Sequence, residues 1–236
     1  MTALDLDRFE VLTFDCYGTL IDWEAGILAV LQPILASHDI SLTDDDVLER
    51  YARFEAAIEG GPYRPYRDVL AASLVGMAAD LGIAVTPDDL AAFSTSVPRW
   101  PPFADSAAAL KRLAYRYRLG VVTNCDDDLF AASAQRLETT FEWVITAQQV
   151  SAYKPSVAGF ERALAEIDVP RARILHVAQS LFHDHVPAKQ LGLATAWVNR
   201  RHDRPGFGAT PAAEASPDLV VPDLETLAVL ALGPAQ

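Results

Sequence analysis

The sequence is short of positive charge. Its 236 residues carry 19 Lys and Arg against 32 Asp and Glu, a formal net charge of -13. Nucleic-acid phosphates are bound by concentrated Lys and Arg, so this balance argues against a nucleic-acid partner. A small anionic substrate remains compatible with it, provided that a local positive site overcomes the field of the whole molecule.

Cysteine and long apolar runs are also scarce. The two cysteines, Cys16 and Cys125, follow predicted strands, which argues against a disulfide framework and for reduced thiols. No apolar run is long enough to span a bilayer, and residues 1–8 lack the basic and apolar regions of a signal peptide. We therefore expect no membrane partner and a cytoplasmic location.

What the sequence contains is one strand, a long helical stretch and then an alternation of strands and helices. An apolar run at 9–14 predicts the first strand, and residues 23–97 keep the helical period of four helices. Later strands are predicted at 119–123, 143–146, 174–178, 194–198 and 219–221. This order predicts an α/β, Rossmann-like parallel-sheet core of residues 1–21 and 101–236, with a helical cap domain of residues 22–100 inserted after the first strand.

A carboxylate stands where the first strand ends. Ligands of open α/β sheets bind beyond the carboxyl ends of the strands, so Asp15 lies where a substrate would arrive. Gly18 allows a tight turn after it, and the Thr19 hydroxyl is placed to hold the carboxylate. Taken alone, Asp15 is equally compatible with a simple turn residue.

Four motifs follow one another along the chain and together suggest a family. They are DCYGTLID at 15–22, VVTN at 121–124, YKP at 153–155 and HVAQSLFHD at 176–184. In this order they resemble the four motifs of the haloacid dehalogenase (HAD) superfamily, over essentially the whole chain. The resemblance implies that Asp15 is a nucleophile that forms a covalent ester, and that Lys154 keeps it ionised.

Other motif residues receive roles from the same resemblance. Thr123 and Asn124 would orient the substrate through neutral hydrogen bonds. Asp184 is the best candidate to orient or deprotonate the hydrolytic water, ahead of His183.

Two departures from the motifs separate the branches of the superfamily. Phosphatases have a second Asp at the position of Tyr17, and a phenol with a pKa of about 10 is a poor general acid at neutral pH. Their fourth motif also supplies carboxylates for magnesium, where this chain has Gln179 and Ser180 and retains only Asp184. Both departures point to the metal-independent 2-haloacid dehalogenases, which implies no cofactor and no metal.

The implied function is the hydrolysis of short 2-haloalkanoic acids to 2-hydroxy acids. Asp15 would displace halide from the α-carbon, and water would then hydrolyse the ester. Two alternatives remain open at this point. One is a HAD-type phosphatase acting on a small phosphate ester, and the other is a non-catalytic binding protein on the same scaffold.

A cation for the substrate carboxylate or the halide is expected from the cap. In the dehalogenases an Arg on the second cap helix has this role, and rough alignment places Arg50 there. Further cap candidates are Arg53, Arg64 and Arg67. The other predicted substrate contacts are Tyr17, Thr19 and Ser180. The expected partner is a short halogenated carboxylate, and a homodimer is compatible with such a fold although no sequence feature identifies its surface.

Overall fold

The computed structural model describes residues 4–234, in which six parallel strands form one sheet in the order β3-β2-β1-β4-β5-β6. The strands are β1 (Val11–Phe14), β2 (Arg118–Thr123), β3 (Trp143–Thr146), β4 (Ile174–Ala178), β5 (Ala194–Val198) and β6 (Leu219–Val221). The predicted α/β fold is confirmed. Every strand lies within two residues of its predicted position, because each is an apolar run between loop residues.

The first strand lies at the centre of the sheet, between β2 and β4. All four of its residues are buried. Val11 belongs to the apolar cluster on one face of the sheet, whereas Leu12 and Phe14 belong to the larger cluster on the other. Burial on both faces explains why β1 reads as a continuous apolar run instead of an alternating one.

Helices cover both faces of this sheet. They are α5 (Ser106–Leu113), α6 (Asp127–Leu137), α7 (Ala147–Val150), α8 (Ala158–Glu166), α9 (Val186–Gln190) and α10 (Leu224–Leu232). On one face, α8 and α9 bury Phe160 and Ala188 against Val11. On the other, α5 and α10 pack against each other and contribute Leu110 and Leu227 to the larger cluster.

Four helices fill the segment between β1 and α5, as the helical periodicity predicts. They are α1 (Trp23–Ser37), α2 (Asp44–Glu59), α3 (Tyr66–Leu81) and α4 (Pro87–Ser94), and we call them the cap helices. Threonines cap two of these helices: Thr43 Oγ1 accepts the Asp46 N–H, and Thr86 and Asp89 make a reciprocal capping box. These local hydrogen bonds explain why the starts of α2 and α4 can be read from the sequence.

The chain enters and leaves the cap helices through two adjacent connections. The Asp22 N–H donates to the Pro101 carbonyl at 2.8 Å, and the Phe103 N–H donates to the Leu20 carbonyl at 3.1 Å. This pairing lies close to the predicted boundaries at 22 and 100, and the division into core and cap domains remains our proposal. Residues 1–3 and 235–236 of the predicted core lie outside the described residues.

Within residues 4–234, none of the helices is both long and apolar enough to cross a membrane. Cys16 and Cys125 are free and buried, in agreement with the expected reduced thiols.

Candidate active site

Asp15 is fixed at the carboxyl end of β1 by a tight turn. Gly18 adopts a φ of 93°, a conformation that favours glycine, and brings the chain back so that the Thr19 hydroxyl donates to Asp15 Oδ2 at 2.7 Å. The Thr19 oxygen in turn accepts the Gln179 N–H at 2.9 Å, which links the first and fourth motifs. The predicted role of Thr19 is thus compatible with its position: it orients the carboxylate and is itself fully buried.

Lys154 lies between two carboxylates. Its Nζ donates to Asp15 Oδ1 at 2.8 Å, to Asp184 Oδ1 at 2.7 Å and to the Val122 carbonyl at 3.0 Å. Burial acts to lower the pKa of Lys154, but the two carboxylates outweigh burial and raise it above its usual value. Lys154 is therefore a permanent ammonium whose three protons all have acceptors.

Asp184 is held more firmly in the ionised form than Asp15. It lies on the π-helical turn Leu181–His185, where its Oδ1 also bonds His176 Nε2 at 3.0 Å. Burial acts to raise the pKa of Asp184, yet the Lys154 charge and the hydrogen bonds from His176 and Lys154 bring it well below its usual range. Its other oxygen, Oδ2, is buried without a hydrogen-bond partner among the described residues.

The pKa of Asp15 shifts in the opposite direction. Burial raises it, and the nearby Asp184 charge adds to this, although Lys154 and the Thr19 hydroxyl act to lower it. A single ammonium shared by two buried carboxylates thus leaves Asp15 the less stabilised anion of the pair. Such an anion is a stronger nucleophile than one that is fully compensated.

The remaining predicted core contacts divide into two groups. Asn124 reaches the site, because its amide nitrogen donates to Glu59 Oε2 at 3.2 Å and its oxygen accepts the Lys154 N–H at 2.7 Å. Ser180 lines the pocket and its Oγ accepts the His183 N–H at 2.9 Å. By contrast, the Thr123 hydroxyl is buried without a partner among the described residues, and Thr123 is not part of the pocket lining.

Tyr17 lines the pocket with its ring but directs its hydroxyl elsewhere. The phenol bonds Ser133 Oγ at 3.0 Å and accepts from Cys125 Sγ at 3.3 Å. Burial raises its pKa well above the usual value, so it stays protonated. The position of the second phosphatase carboxylate is therefore occupied by an un-ionised group that is turned away from Asp15.

On the cap side, the pocket is lined by Glu55, Glu59 and Tyr66, which we call the cap wall, and Tyr51 hydrogen-bonds Glu55 without lining the pocket. Both tyrosine hydroxyls donate to Glu55 Oε1, at 2.5 and 2.7 Å. Burial raises the pKa of Glu55 to about 7, although these hydrogen bonds act to lower it. Burial and the Glu55 charge likewise raise the pKa of Glu59, although Lys154 and the Asn124 amide oppose them.

Sequence reasoning missed these two glutamates. A signal was present, because Glu55 and Glu59 follow the aromatic Tyr51 at intervals of four residues, which places all three on one face of a helix. Because carboxylates ordinarily lie on the solvent-exposed face of a helix, Glu55 and Glu59 were not expected in the pocket.

His183 also faces the pocket, in its neutral form. Burial lowers its pKa to about 4, and the Lys154 charge has the same effect, although Asp184 acts to raise it. Its Nδ1 lies 3.2 Å from Ser180 Oγ, and its Nε2 lies 3.9 Å from Glu59 Oε2. His183 thus adds no positive charge to the site at neutral pH.

The structure does not bring the predicted cap arginines to the pocket. Arg50 and Arg53 both pair with Asp80 on α3, and Arg67 pairs with Asp128 at the surface. Arg64 is exposed. Arg50 was placed by alignment alone, and the helix turns it toward a partner on α3 while Glu55 and Glu59 take the inner face.

The donor set does not fit a divalent cation. The Lys154 ammonium donates to one oxygen each of Asp15 and Asp184, so the two carboxylates already share a cationic partner. Among the described residues there is also no group of three or more Asp, Glu, His or Cys side chains that could hold a metal ion. Magnesium requires near-octahedral oxygen ligation, which these residues do not offer.

Together these elements make a site that we call the inner pocket. It contains the buried Asp15 carboxylate, the adjacent Lys154 ammonium, the ionised Asp184 carboxylate and a polar cap wall. Its lining is Asp15, Tyr17, Trp23, Glu55, Glu59, Tyr66, Asn124, Lys154, Ser180, His183, Asp184 and Thr210. This arrangement can perform a displacement by Asp15, followed by attack of water on the resulting ester.

Known proteins resemble the chain over nearly its full length. An (S)-2-haloacid dehalogenase of Pseudomonas fluorescens is 24% identical over 227 residues, 89% of this chain and 91% of the relative. Haloacetate dehalogenase H-2 of a Moraxella species is 24% identical over 228 residues, 94% and 97% of the two chains.

A solved structure shares the fold. The L-2-haloacid dehalogenase of Xanthobacter autotrophicus with chloropropionic acid covalently bound superimposes with a TM-score of 0.76 at 22% identity, covering 96% of this chain and 100% of that one. The family model of haloacid dehalogenase-like hydrolases matches residues 9–184, which is well over half of the chain and contains all four motifs. The chain therefore belongs to the haloacid dehalogenase-like hydrolases.

Proposed function

We propose that the protein removes halide from short 2-haloalkanoic acids to give 2-hydroxy acids, through a covalent ester on Asp15 and without a metal. The observation that carries this proposal is the buried triad Asp15–Lys154–Asp184, in which one ammonium bridges the two carboxylates at 2.8 and 2.7 Å. Relatives named haloacid dehalogenases, and one structure with chloropropionic acid covalently bound, support the same chemistry.

The first step forms the ester. A carboxylate oxygen of Asp15 attacks the α-carbon from the side opposite the halogen, the new C–O bond forms, and halide leaves with the electrons of the C–X bond. Lys154 holds Asp15 in line and remains protonated throughout, because its pKa is raised. Thr19 holds the other Asp15 oxygen.

The second step releases the product. Water bound to Asp184 Oδ2 attacks the carbonyl carbon of the Asp15 ester, and Asp184 takes its proton. The acyl C–O bond then breaks, so the 2-hydroxy product leaves with an oxygen that belonged to Asp15, and one oxygen from water stays on Asp15. Asp184 passes its proton to the leaving alkoxide, the second proton of the water is released from the Asp15 carboxyl to solvent, and both carboxylates are again ionised.

A phosphatase activity on the same scaffold has less support. It requires an acid to protonate the leaving oxygen and a magnesium site. Tyr17 is a buried, un-ionised phenol whose hydroxyl bonds Ser133, and Lys154 bridges the carboxylates that would bind the metal.

A single turnover in oxygen-18 water tests the ester. With enzyme in excess over 2-chloropropionate, we expect the label in the peptide that contains Asp15, while the 2-hydroxy product stays unlabelled. Label in the product and none in Asp15 would instead indicate direct attack of water on the α-carbon.

The variant Asp15→Asn should release no halide while keeping the fold, as judged by circular dichroism. Asp39→Asn is the matched control, because Asp39 is exposed and its φ of 57° suits Asn equally well. Retained activity in a non-deamidated Asp15→Asn preparation, or magnesium-dependent phosphate release from a panel of phosphate monoesters without halide release, would contradict the proposal.

A further inference from the structure

The inner pocket is already negative before a substrate enters it. Among the described residues that line it, Lys154 is the one Lys or Arg, and its three protons are taken by Asp15, Asp184 and the Val122 carbonyl. A 2-haloacid brings a further carboxylate, and its displacement by Asp15 produces a halide ion. The pocket must therefore stabilise an anion with groups other than a free cation.

Glu59, on the cap wall, is a buried carboxyl without a Lys or Arg partner among the described residues. Its side chain is 5% exposed, and its basic neighbour is His183, whose Nε2 lies 3.9 Å from Glu59 Oε2. His183 is neutral, because burial lowers its pKa to about 4. An ionised Glu59 would thus be both desolvated and uncompensated. Burial accordingly raises the pKa of Glu59 well above its usual value, and the Glu55 charge adds to this.

The hydrogen bonds of Asn124 determine which oxygen of Glu59 carries the proton. Asn124 Oδ1 accepts the Lys154 N–H at 2.7 Å, so the Asn124 amide nitrogen faces Glu59 and donates to its Oε2 at 3.2 Å. Oε2 is therefore the accepting oxygen, and the proton lies on Oε1, which has no hydrogen-bond partner within residues 4–234. A neutral carboxyl that accepts through one oxygen can donate through the other.

Glu59 also lies where the inner pocket opens. A wider cleft of about 840 Å³, which we call the outer cleft, shares Glu59, Lys154 and His183 with the inner pocket. A substrate that reaches Asp15 through the outer cleft passes the Glu59 carboxyl. Both anionic groups of a haloacid bound at Asp15, its carboxylate and its departing halide, then lie in a pocket that Glu59 lines.

We propose that Glu59 binds an anionic group of the substrate as a protonated carboxyl, donating its Oε1 hydrogen to the carboxylate or to the departing halide. A neutral carboxyl stabilises an anion by this hydrogen bond without adding charge, and Glu59 keeps its proton through both steps of the reaction. An ionised Glu59 would instead repel the same anion. This inference rests on the proposed function, because it assigns a group that binds the haloacid of the Asp15 displacement.

The test is the pH dependence of kcat/KM for halide release from (S)-2-chloropropionate, between about pH 5 and about pH 10. In the wild type, efficiency should rise as Asp15 ionises. It should then fall by at least about tenfold as Glu59 loses its proton, the effect of one hydrogen bond to a charged group. Glu59→Gln keeps a neutral donor at every pH, because a Gln amide accepts through oxygen and donates through nitrogen. This variant should retain the efficiency of the wild type at acidic pH and should lack the fall.

Other titratable groups face Glu59 from each surrounding element, and they are Glu55 on α2, Tyr66 on α3, Tyr153 and Lys154 after β3, and His183 on the π-helical turn. Of these, Glu55 titrates near neutral pH, because burial raises its pKa to about 7. Glu55→Gln should therefore keep the alkaline fall if Glu59 causes it. Glu49→Gln is the matched control, because Glu49 is exposed on the same helix, and it should keep the wild-type profile.

Two inhibitors distinguish the anionic group that Glu59 binds. Propionate and chloride are unreactive and carry the carboxylate and the halide separately. Their inhibition constants are compared between the wild type and Glu59→Leu, at constant ionic strength and about pH 6, where Glu59 is protonated. Inhibition at least about tenfold weaker in the variant assigns the carboxylate if it is seen for propionate, and the halide if it is seen for chloride. Two unchanged constants would overturn the assignment.

The remaining outcomes separate the two proposals. A wild-type profile that stays flat to about pH 10, a fall that persists in Glu59→Gln, or low efficiency of Glu59→Gln at every pH overturns the role of Glu59, while halide removal through Asp15 stands. If folded wild-type enzyme releases no halide at any pH, the proposed function fails and this inference fails with it. Should Glu59→Gln not fold, an alkaline fall in both the wild type and Glu55→Gln supports the inference, and its absence from either overturns it.

Discussion

At the scale of single residues, the site depends on one ammonium, Lys154, that hydrogen-bonds two carboxylates, Asp15 and Asp184. Lys154 and His176 both bind the same oxygen of Asp184, whereas Asp15 shares Lys154 with the Thr19 hydroxyl. The pKa of Asp184 is lowered and that of Asp15 is raised. Two carboxylates of the same chemistry are thereby given different roles, because their surroundings push their pKa values apart.

The different roles can be tested by separating the two steps. In Asp184→Asn, Asp15 can still displace halide, but no base takes the proton from the attacking water. We expect a burst of about one halide per enzyme, followed by turnover at least about 100-fold slower than in the wild type. Mass spectrometry of the Asp15 peptide should show the accumulated ester.

Asp128→Asn provides the control for this variant, because Asp128 is an exposed carboxylate that pairs with Arg67 away from the pocket. It should keep the wild-type steady-state rate and no ester should accumulate. An Asp184→Asn enzyme with neither burst nor ester would mean that Asp184 acts in the displacement step itself.

The sequence predicted the position of some site residues but not of others. Asp15 and Asn124 directly follow β1 and β2, whereas Lys154 and Asp184 lie in the connecting segments after β3 and β4. The carboxyl ends of neighbouring parallel strands meet at one edge of a sheet. Their convergence therefore follows from the order of the motifs. Arg50 has no such constraint, since a long side chain on a helix is directed by whichever partner the neighbouring helix offers, here Asp80.

At the scale of elements, α2 and α3 are joined by a buried polar cluster. Glu55 on α2 accepts hydrogen bonds from the hydroxyls of Tyr51 on its own helix and of Tyr66 on α3. The N-terminus of α3 is in turn fixed by Asp126 after β2, whose carboxylate accepts the Tyr66 N–H at 2.9 Å. Tyr66 thus connects the second and third cap helices to the sheet.

This cluster makes stability depend on pH. Burial raises the pKa of Glu55 from its ordinary 4.5 to about 7, so the folded state holds a proton that the unfolded state loses first. Its contribution is fully present below pH 4.5 and is lost as the pH rises to 7. The wild type should lose on the order of 1–3 kcal/mol more unfolding free energy over this window than Glu55→Gln.

Urea unfolding at a series of pH values would measure this difference, with Glu49→Gln as the exposed control on the same helix. The control should follow the wild-type curve. Parallel curves for the wild type and Glu55→Gln would show that Glu55 does not take up a proton on folding.

At the scale of the whole molecule, the protein carries a net charge of -13. Among the described residues that line the inner pocket, the one Lys or Arg is Lys154, which is already paired with Asp15 and Asp184. The field of the molecule repels an approaching anion and leaves a neutral compound unaffected. Salt weakens such repulsion, because the Debye length falls to about 10 Å at 0.1 M ionic strength.

We therefore expect catalytic efficiency on a 2-haloacid to rise with ionic strength. Sodium sulfate that raises the ionic strength from about 10 mM to about 200 mM should make kcat/KM for halide release from 2-chloropropionate roughly severalfold larger. An unchanged efficiency over this range would mean that the field of the protein does not govern substrate approach.

By itself, the sequence determined the parts of the protein that depend on local pattern and on the order of elements. Apolar runs predicted the strands, and helical periodicity predicted the four cap helices. Four motifs in order predicted the family and the residues of the triad. Tertiary structure alone decided what the cap presents to that triad. Whether Arg50 or Glu59 faces Asp15 depends on how α2 packs against α3 and the sheet, and a helix period relates residues within one helix without fixing which face meets another element.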